Sequence, residues 1–352
     1  MRKALLGFGL CAAFAGLMPM TRAAEQHVAY TDPAQAGPDF RVQGEYEGSL
    51  SNGAVIAAQV IAVGNAKFEG VLYSGGLPGS GWDEKTRFHF RGETRGDATH
   101  CIGIHGERLM FENPNFHGTI RNDVFRGQAE MLRNVADNTT FEMKKVQRRS
   151  PTLGAKPPSG AIVLFDGTNV AEWASGKLVY GDLLDVGAES KRMFQSLQFH
   201  LEFRTPFMPT AQGMARGNSG VYVKKVWEVQ IVDSFGWNTE NRKFERLSDF
   251  ARCGGIHEMV KPRLNMSYPP LSWQTYDVEF TAAKFDDAGN RASPSMMTVR
   301  LNGVLIHDRF VLPPVPPGNA VKAAKDSQPG PLFLQNHGNP VRFRNIWVVE
   351  KK

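Results

Sequence analysis

The stretch Gly217-Asn-Ser-Gly-Val-Tyr-Val-Lys-Lys-Val-Trp-Glu-Val-Gln-Ile-Val-Asp-Ser-Phe-Gly236 decides how this chain is read. It divides at Lys224-Lys225 into two strand-like runs joined by a short turn. In the second run a period of two puts Trp227, Val229 and Ile231 on one face and Glu228, Gln230 and Val232 on the other. Glu228 beside Gln230 is not a plain core face, because an unsatisfied buried polar group costs about 1–3 kcal/mol. That face is either solvated or turned toward a ligand.

Outward from this pair the second half of the chain repeats the same pattern. Strand-like runs occur at Ala161 to Asn169, Leu197 to Phe203, Thr275 to Phe280, Met297 to Leu301, Val304 to His307, Pro331 to Gln335 and Val341 to Val349. Asn302-Gly303 between two such runs is a strong hairpin signal. Many strands without crossover helices predict antiparallel sheets packed face to face, an all-β sandwich over residues 161–352. The polar, aromatic insertion Trp237 to Pro270 is long for a loop inside a compact domain, and such loops tend to carry function.

The first half reads differently. Short runs between Arg41 and Val146, broken by Ser51-Asn-Gly53, Gly75-Gly76 and Pro78-Gly79, predict a meander of hairpins. Residues 25–149 therefore form a smaller all-β domain of barrel or rolled-sheet type. Pro- and Gly-bearing residues 150–160 read as a linker. Gly75 to Trp82 is Gly-rich, yet it has no Lys-Ser/Thr and no following helix to cradle a phosphate.

At 352 residues the chain has room for two cores. Met1 to Ala24 has Arg2-Lys3, the apolar run Ala4 to Met18 and the small-residue end Thr21-Arg-Ala-Ala24. This is the pattern of a cleavable signal peptide over residues 1–24, and it predicts a periplasmic or secreted protein. The apolar run is too short and Gly-rich for a membrane anchor, so no integral span is expected. The formal net charge of +6 includes Arg2, Lys3 and Arg22 of that segment, and without them it is +3. Lys144-Lys145 and Arg148-Arg149 are small basic blocks, so nucleic acid is not expected as a partner. Cys101 and Cys253 leave open one disulfide or two free thiols. No Cys or His spacing suggests a metal, and no cofactor is expected.

Phe165-Asp-Gly-Thr-Asn169 with Trp173, Leu201-Glu-Phe-Arg204, Gly217-Asn-Ser-Gly220, Trp227-Glu-Val-Gln-Ile231, Asn302-Gly-Val304 and Gly330-Pro-Leu-Phe-Leu-Gln-Asn-His-Gly338 with Phe343-Arg-Asn-Ile346 form an ordered set. As a set they resemble the 3-keto-disaccharide hydrolase domain family, over roughly residues 160 to 350. The resemblance implies a concanavalin-like jelly-roll β-sandwich, a secreted or periplasmic setting and action on oxidised sugars. Where family members often have Gly-x-Ile-Tyr, this chain has Gly254-Gly-Ile-His257, which changes both donor geometry and pKa range.

A glycoside oxidised to a ketone at its third carbon has an acidic hydrogen on the second. A base can remove it and the aglycone can then leave from the first carbon. This route needs a base, a donor for the enolate oxygen and an acid for the leaving oxygen. Glu228 or His337 is the candidate base, the other member of that pair the acid, and Arg344 or Asn218 the enolate donor. Asn218, Trp227, Gln230, His257, Gln335 and Asn336 are the candidate substrate-binding residues.

Two other functions remain. A retaining glycosidase needs two carboxylates about 5 Å apart, but Gln230 stands where an acid belongs and Asp233 has the opposite strand parity to Glu228. A non-catalytic carbohydrate-binding sandwich would use Trp227, Trp237, Tyr268 or Trp273 as stacking platforms.

Overall fold

A computed structural model describes residues 27–104, 116–129, 139–236, 249–314 and 326–351. The signal-peptide reading of residues 1–24, the strand read at Arg108 to Glu112 and the platform residue Trp237 lie outside the described residues. Among the described residues, no helix is long and apolar enough to cross a membrane.

Eight antiparallel strands close a barrel in chain order: β1 (Gly44–Leu50), β2 (Val55–Gly64), β3 (Lys67–Ser74), β4 (Arg87–Arg95), β5 (Ala98–Gly103), β6 (Phe116–Arg121), β7 (Val124–Ala129) and β8 (Thr140–Val146). β1 pairs with β8, so no edge is left open. At eight strands the interior is just wide enough for side chains to fill. Here Tyr46, Phe68, Phe90, Phe116, Phe125 and Phe141 fill it, with Phe116 stacked on Phe141 at 5.4 Å. Gly70 makes room, since a Cβ there would meet the Phe90 ring at 2.1 Å.

The remaining strands are β9 (Ile162–Phe165), β10 (Trp173–Ala174), β11 (Leu178–Val179), β12 (Leu183–Leu184), β13 (Glu189–Ser190), β14 (Ser196–Arg204), β15 (Ser219–Val223), β16 (Trp227–Ile231), β17 (Gln274–Thr281), β18 (Lys284–Phe285), β19 (Arg291–Ser293), β20 (Met296–Leu301), β21 (Val304–Val311), β22 (Leu332–Leu334) and β23 (Arg342–Lys351). One sheet runs β10-β13-β22-β15-β16; the other runs β11-β12-β23-β14-β17-β20-β21, with β9 also on β23. The two pack into the expected jelly-roll sandwich. Val221, Val223, Trp227, Val229 and Ile231 from the first sheet meet Leu197, Phe199, Leu201, Phe203, Tyr276 and Val278 from the second in one apolar cluster. At Asn302-Gly303 both residues take positive φ, 52° and 78°, as the tight hairpin between β20 and β21 requires.

Residues 150–155 lie along the eight-stranded sheet. The Ser150 and Thr275 hydroxyls are 2.6 Å apart, Thr152 donates to Asp277 at 2.7 Å, and the Gly154 amide donates to Glu202 at 2.5 Å. Barrel and sandwich also share apolar residues: Ile61 joins the sandwich cluster, while Phe207 and Leu271 join the barrel cluster. Arg216, only 1 % exposed, ties the two together. It donates to Asp233 Oδ2 at 2.6 Å, to the Ala62 carbonyl of the barrel at 3.1 Å and to Gln43 Oε1 at 3.4 Å. Cys101 and Cys253 are both free and buried, one in each half.

Candidate active site

The β15–β16 hairpin sets Val223 opposite Trp227, so Tyr222 falls opposite Glu228 and Gly220 opposite Gln230. On the other flank β22 sets Leu334 opposite Val221, and the Gln335 amide donates to the Gly220 carbonyl at 2.9 Å. Past β16, the segment that follows Cys253 acts as a further strand. Val229 bridges Ile256, and the His257 amide donates to the Glu228 carbonyl at 3.1 Å. Period-two alternation across all four pieces turns Asn218, Tyr222, Glu228, Gln230, His257 and Gln335 to the face opposite the core.

Within this group Tyr222 donates to Glu228 Oε2 at 2.6 Å, and Gln335 Nε2 donates to the Tyr222 hydroxyl at 3.2 Å. Gln230 Nε2 lies 3.4 Å from His257 Nδ1. Glu228 is only 6 % exposed. Burial pushes its pKa above the ordinary glutamate value, against the opposing pull of the Tyr222 hydrogen bond and of His257 and His337. Tyr222 is pushed upward too, by burial and by the Glu228 carboxylate, so it stays a protonated donor. Glu228 reaches its place because residue 220 is glycine: a Cβ there would stand 2.2 Å from Glu228 Oε1.

Several polar atoms on the same face are buried without a hydrogen-bond partner among the described residues. They are both side-chain atoms of Asn218, Gln230 Oε1 and Gln335 Oε1. Native structures seldom leave such groups unpaired, so a row of them beside a buried carboxylate is a candidate place for a polar ligand.

Other expected site residues fall elsewhere. Arg344 belongs to β23 of the opposite sheet, where its Nε donates to Glu202 Oε2 at 2.7 Å and its guanidinium lies 4.0 Å from the Trp273 ring centroid. The reading of Arg344 as an enolate donor beside Glu228 is therefore corrected, since strand parity could not say which sheet β23 would enter. Burial works against the Glu202 charge, yet His200, the Asn345 amide, the Gly154 amide and Arg344 hold its carboxyl at about 2. Trp227 is corrected as a substrate-binding residue, because its ring is 2 % exposed and lies in the core between the sheets. Asn336 is exposed and caps its own turn, accepting from the Gly338 amide at 2.9 Å. His337 is exposed in the turn after β22, a strand of the sheet that carries Glu228.

Tyr222 was missed in the sequence. The signal was present, because a turn centred on Lys224-Lys225 implies its pairing with Glu228. Among the described residues, other candidates of the rival readings are engaged elsewhere. Asp233 is bound to the buried Arg216, Tyr268 is buried under the Arg148 guanidinium at 5.0 Å, and the Trp273 ring carries both Arg204 and Arg344. Among the described residues, no three His, Cys, Asp or Glu side chains converge as a metal site.

A family model described as a 3-keto-alpha-glucoside-1,2-lyase-like domain matches residues 160–349, more than half of the chain. Among solved structures, a candidate glycosyl hydrolase from Parabacteroides distasonis ATCC 8503 is 29% identical over 55% of this chain and 85% of that one, with a TM-score of 0.47. A second candidate glycosyl hydrolase from the same organism is 17% identical over 55% of this chain and 94% of that one, with a TM-score of 0.38. No curated protein matches the chain.

Proposed function

We propose that this chain, which belongs to the 3-keto-alpha-glucoside-1,2-lyase-like domain family, is a carbohydrate-active enzyme that cleaves 3-keto-glycosides by elimination. The observation that carries this reading is the buried Glu228 carboxylate, held by Tyr222 beside the unpartnered side-chain amide of Asn218 and the unpartnered amide oxygens of Gln230 and Gln335. In the proposed step Glu228 takes the hydrogen from the second carbon, and the electron pair moves to the oxygen of the third-carbon ketone as an enolate. The Asn218 amide donates to that oxygen. The pair then returns, forming the double bond between the first and second carbons as the bond from the first carbon to the aglycone oxygen breaks. His257, the cross-strand neighbour of Glu228, protonates the leaving oxygen. Addition of water to the double bond afterwards releases the free 3-keto sugar. Gln230 and Gln335 bind ring hydroxyls. In the same reading residues 1–24 direct export, so the reaction takes place in the periplasm or outside the cell.

The test is incubation with a 3-keto-glycoside and with its unoxidised parent, following aglycone release. Release from the keto compound alone is the expected result, and release from the parent overturns the reading. The base works only when ionised. Because burial raises the Glu228 pKa, kcat is expected to fall on the acid side at a pH above the ordinary glutamate range. A limb at or below that range would count against Glu228.

Gly220→Ala tests the placement of the base. The added Cβ meets Glu228 Oε1 at 2.2 Å and Cδ at 2.9 Å. The carboxylate can swing aside, so the fold survives, but its bond to Tyr222 does not. A displacement of about 1 Å is expected to cost about 10²-fold in kcat, with a denaturation midpoint close to the parent's. Unchanged kcat would mean that the position of this carboxylate does not matter to the reaction.

A further inference from the structure

The outer face of the larger sheet, across the sandwich from Glu228, carries a crowd of positive charge. Phe203 and Phe343 lie in the core, so alternation turns Glu202, Arg204, Arg342 and Arg344 outward. On that face Arg204 of β14 stands directly opposite Arg342 of β23, and Glu202 opposite Arg344. Trp273, one residue before β17, adjoins them: its ring centroid lies 5.0 Å from the Arg204 guanidinium and 4.0 Å from that of Arg344. The Arg342 guanidinium lies 5.6 Å from the Tyr180 ring centroid. Like charges directly opposite on a sheet are destabilising, so this grouping costs stability unless an anion answers it.

The carboxylates of the same face answer it only in part. Asp185 pairs with Arg342, and Glu202 accepts from Arg344 Nε at 2.7 Å. Among the described residues Arg204 is ion-paired with no carboxylate, and its one hydrogen bond goes to the Thr31 carbonyl at 3.1 Å. Asp32 attracts it from a distance, but Asp32 Oδ1 accepts from the Ala34 amide. Burial and the guanidiniums of Arg344 and Arg342 push the Arg204 pKa below the ordinary arginine value, as befits a cation held among cations. Arg342 is 9 % exposed, and its Nε is buried without a hydrogen-bond partner. A guanidinium carries five N–H donors in a fixed fork. Arg204 and Arg344 spend one hydrogen bond each on described residues, which leaves donors for an oxyanion.

Tyr180 supplies the other half of a site. It is 66 % exposed, and its hydroxyl, 2.8 Å from that of Thr31, fixes the ring. Such a ring offers an apolar body to the C–H face of a sugar. We infer that Arg204, Arg342 and Arg344 form with Tyr180 a binding site for an acidic sugar, whose ring packs beside Tyr180 and whose carboxylate or sulfate the guanidiniums hold. This site is separate from the Glu228 cluster, and it stands whether or not that cluster cleaves 3-keto-glycosides.

Calorimetry on the full chain at low ionic strength tests this with glucuronate, glucose 6-sulfate, glucose and inorganic sulfate. One of the two acidic sugars is expected to bind about tenfold more tightly than glucose or inorganic sulfate, and the tighter of the two identifies the anionic group. Arg204→Gln is expected to weaken that binding about tenfold, the scale of a lost hydrogen bond to a charged group. Tyr180→Ala, a change at an exposed position, is expected to weaken it about threefold, and it keeps the test open if Arg204→Gln does not fold. Inorganic sulfate binding as tightly as the acidic sugars would mean an adventitious ion only, and would overturn the inference. So would equal binding of glucose, no binding of either acidic sugar, or unchanged binding in either folded variant.

Discussion

Glu228→Gln is expected to reduce aglycone release from a 3-keto-glycoside by about 10³-fold while leaving the folded protein intact. A positioned general base contributes roughly 10²–10⁴-fold, and glutamine keeps the shape and the acceptor for Tyr222 but cannot take a proton. Wild-type Glu228 keeps a carboxylate in a site where burial disfavours charge. The amide removes that conflict, so the denaturation midpoint of the variant should equal or exceed that of wild type. Kinetics and urea denaturation on the same preparations test both halves. Activity retained within tenfold would move the base elsewhere, and His337 would be the next residue to examine. A collapse in stability would show that the carboxylate holds the hairpin together rather than acting on substrate.

Arg216→Ala is expected to cost about 3–5 kcal/mol of stability at neutral pH, the scale for breaking a buried ion pair from one side. Asp233 is 1 % exposed and has the Arg216 Nε at 2.6 Å as its counter-charge. Removing the guanidinium strands that carboxylate and also releases the Ala62 and Met208 carbonyls and Gln43, all of which Arg216 serves. In the variant the unpaired Asp233 has a folded-state pKa above its unfolded value. Its penalty is therefore full at neutral pH and shrinks as acidification protonates it in the folded state. Urea midpoints measured at neutral and mildly acidic pH check both magnitude and sign. A loss below about 1 kcal/mol would show that barrel and sandwich do not depend on this pair. Arg216 lies two residues before Asn218, so a loss of kcat in the folded variant would also be expected.

Much of the fold could be read from local rules. Runs with a period of two between turn residues locate most of the strands, and the consecutive hairpins of the first half become a barrel in chain order. Asn302-Gly303 forms the hairpin that its residues favour, with both φ angles positive. The polar face of Glu228 and Gln230 was legible for the same reason: a pleated strand alternates whatever its neighbours are. The boundaries of the site were less legible. Arg344 has the strand parity assigned to it, but its strand pairs with β14 and so delivers the side chain to Glu202 on the second sheet. Trp227 obeys the alternation as well, and that very rule buries it in the core opposite Glu228.

Local sequence, then, determined the strands, the tight turns and which residues of each strand share a face, because these depend on backbone sterics and on a period set within a few residues. Tertiary structure decided which faces meet. β15 takes β22, more than a hundred residues away, as one neighbour, and the segment after Cys253 extends the sheet beyond β16. Those two long-range pairings bring Gln335 and His257 to Glu228, and the docking of the lead-in on Phe207 brings His27 and Val28 to one cavity with His337 and Asn339. Partner choice of this kind is settled by burying the whole apolar face of each sheet at once, a sum over the chain that no single stretch contains.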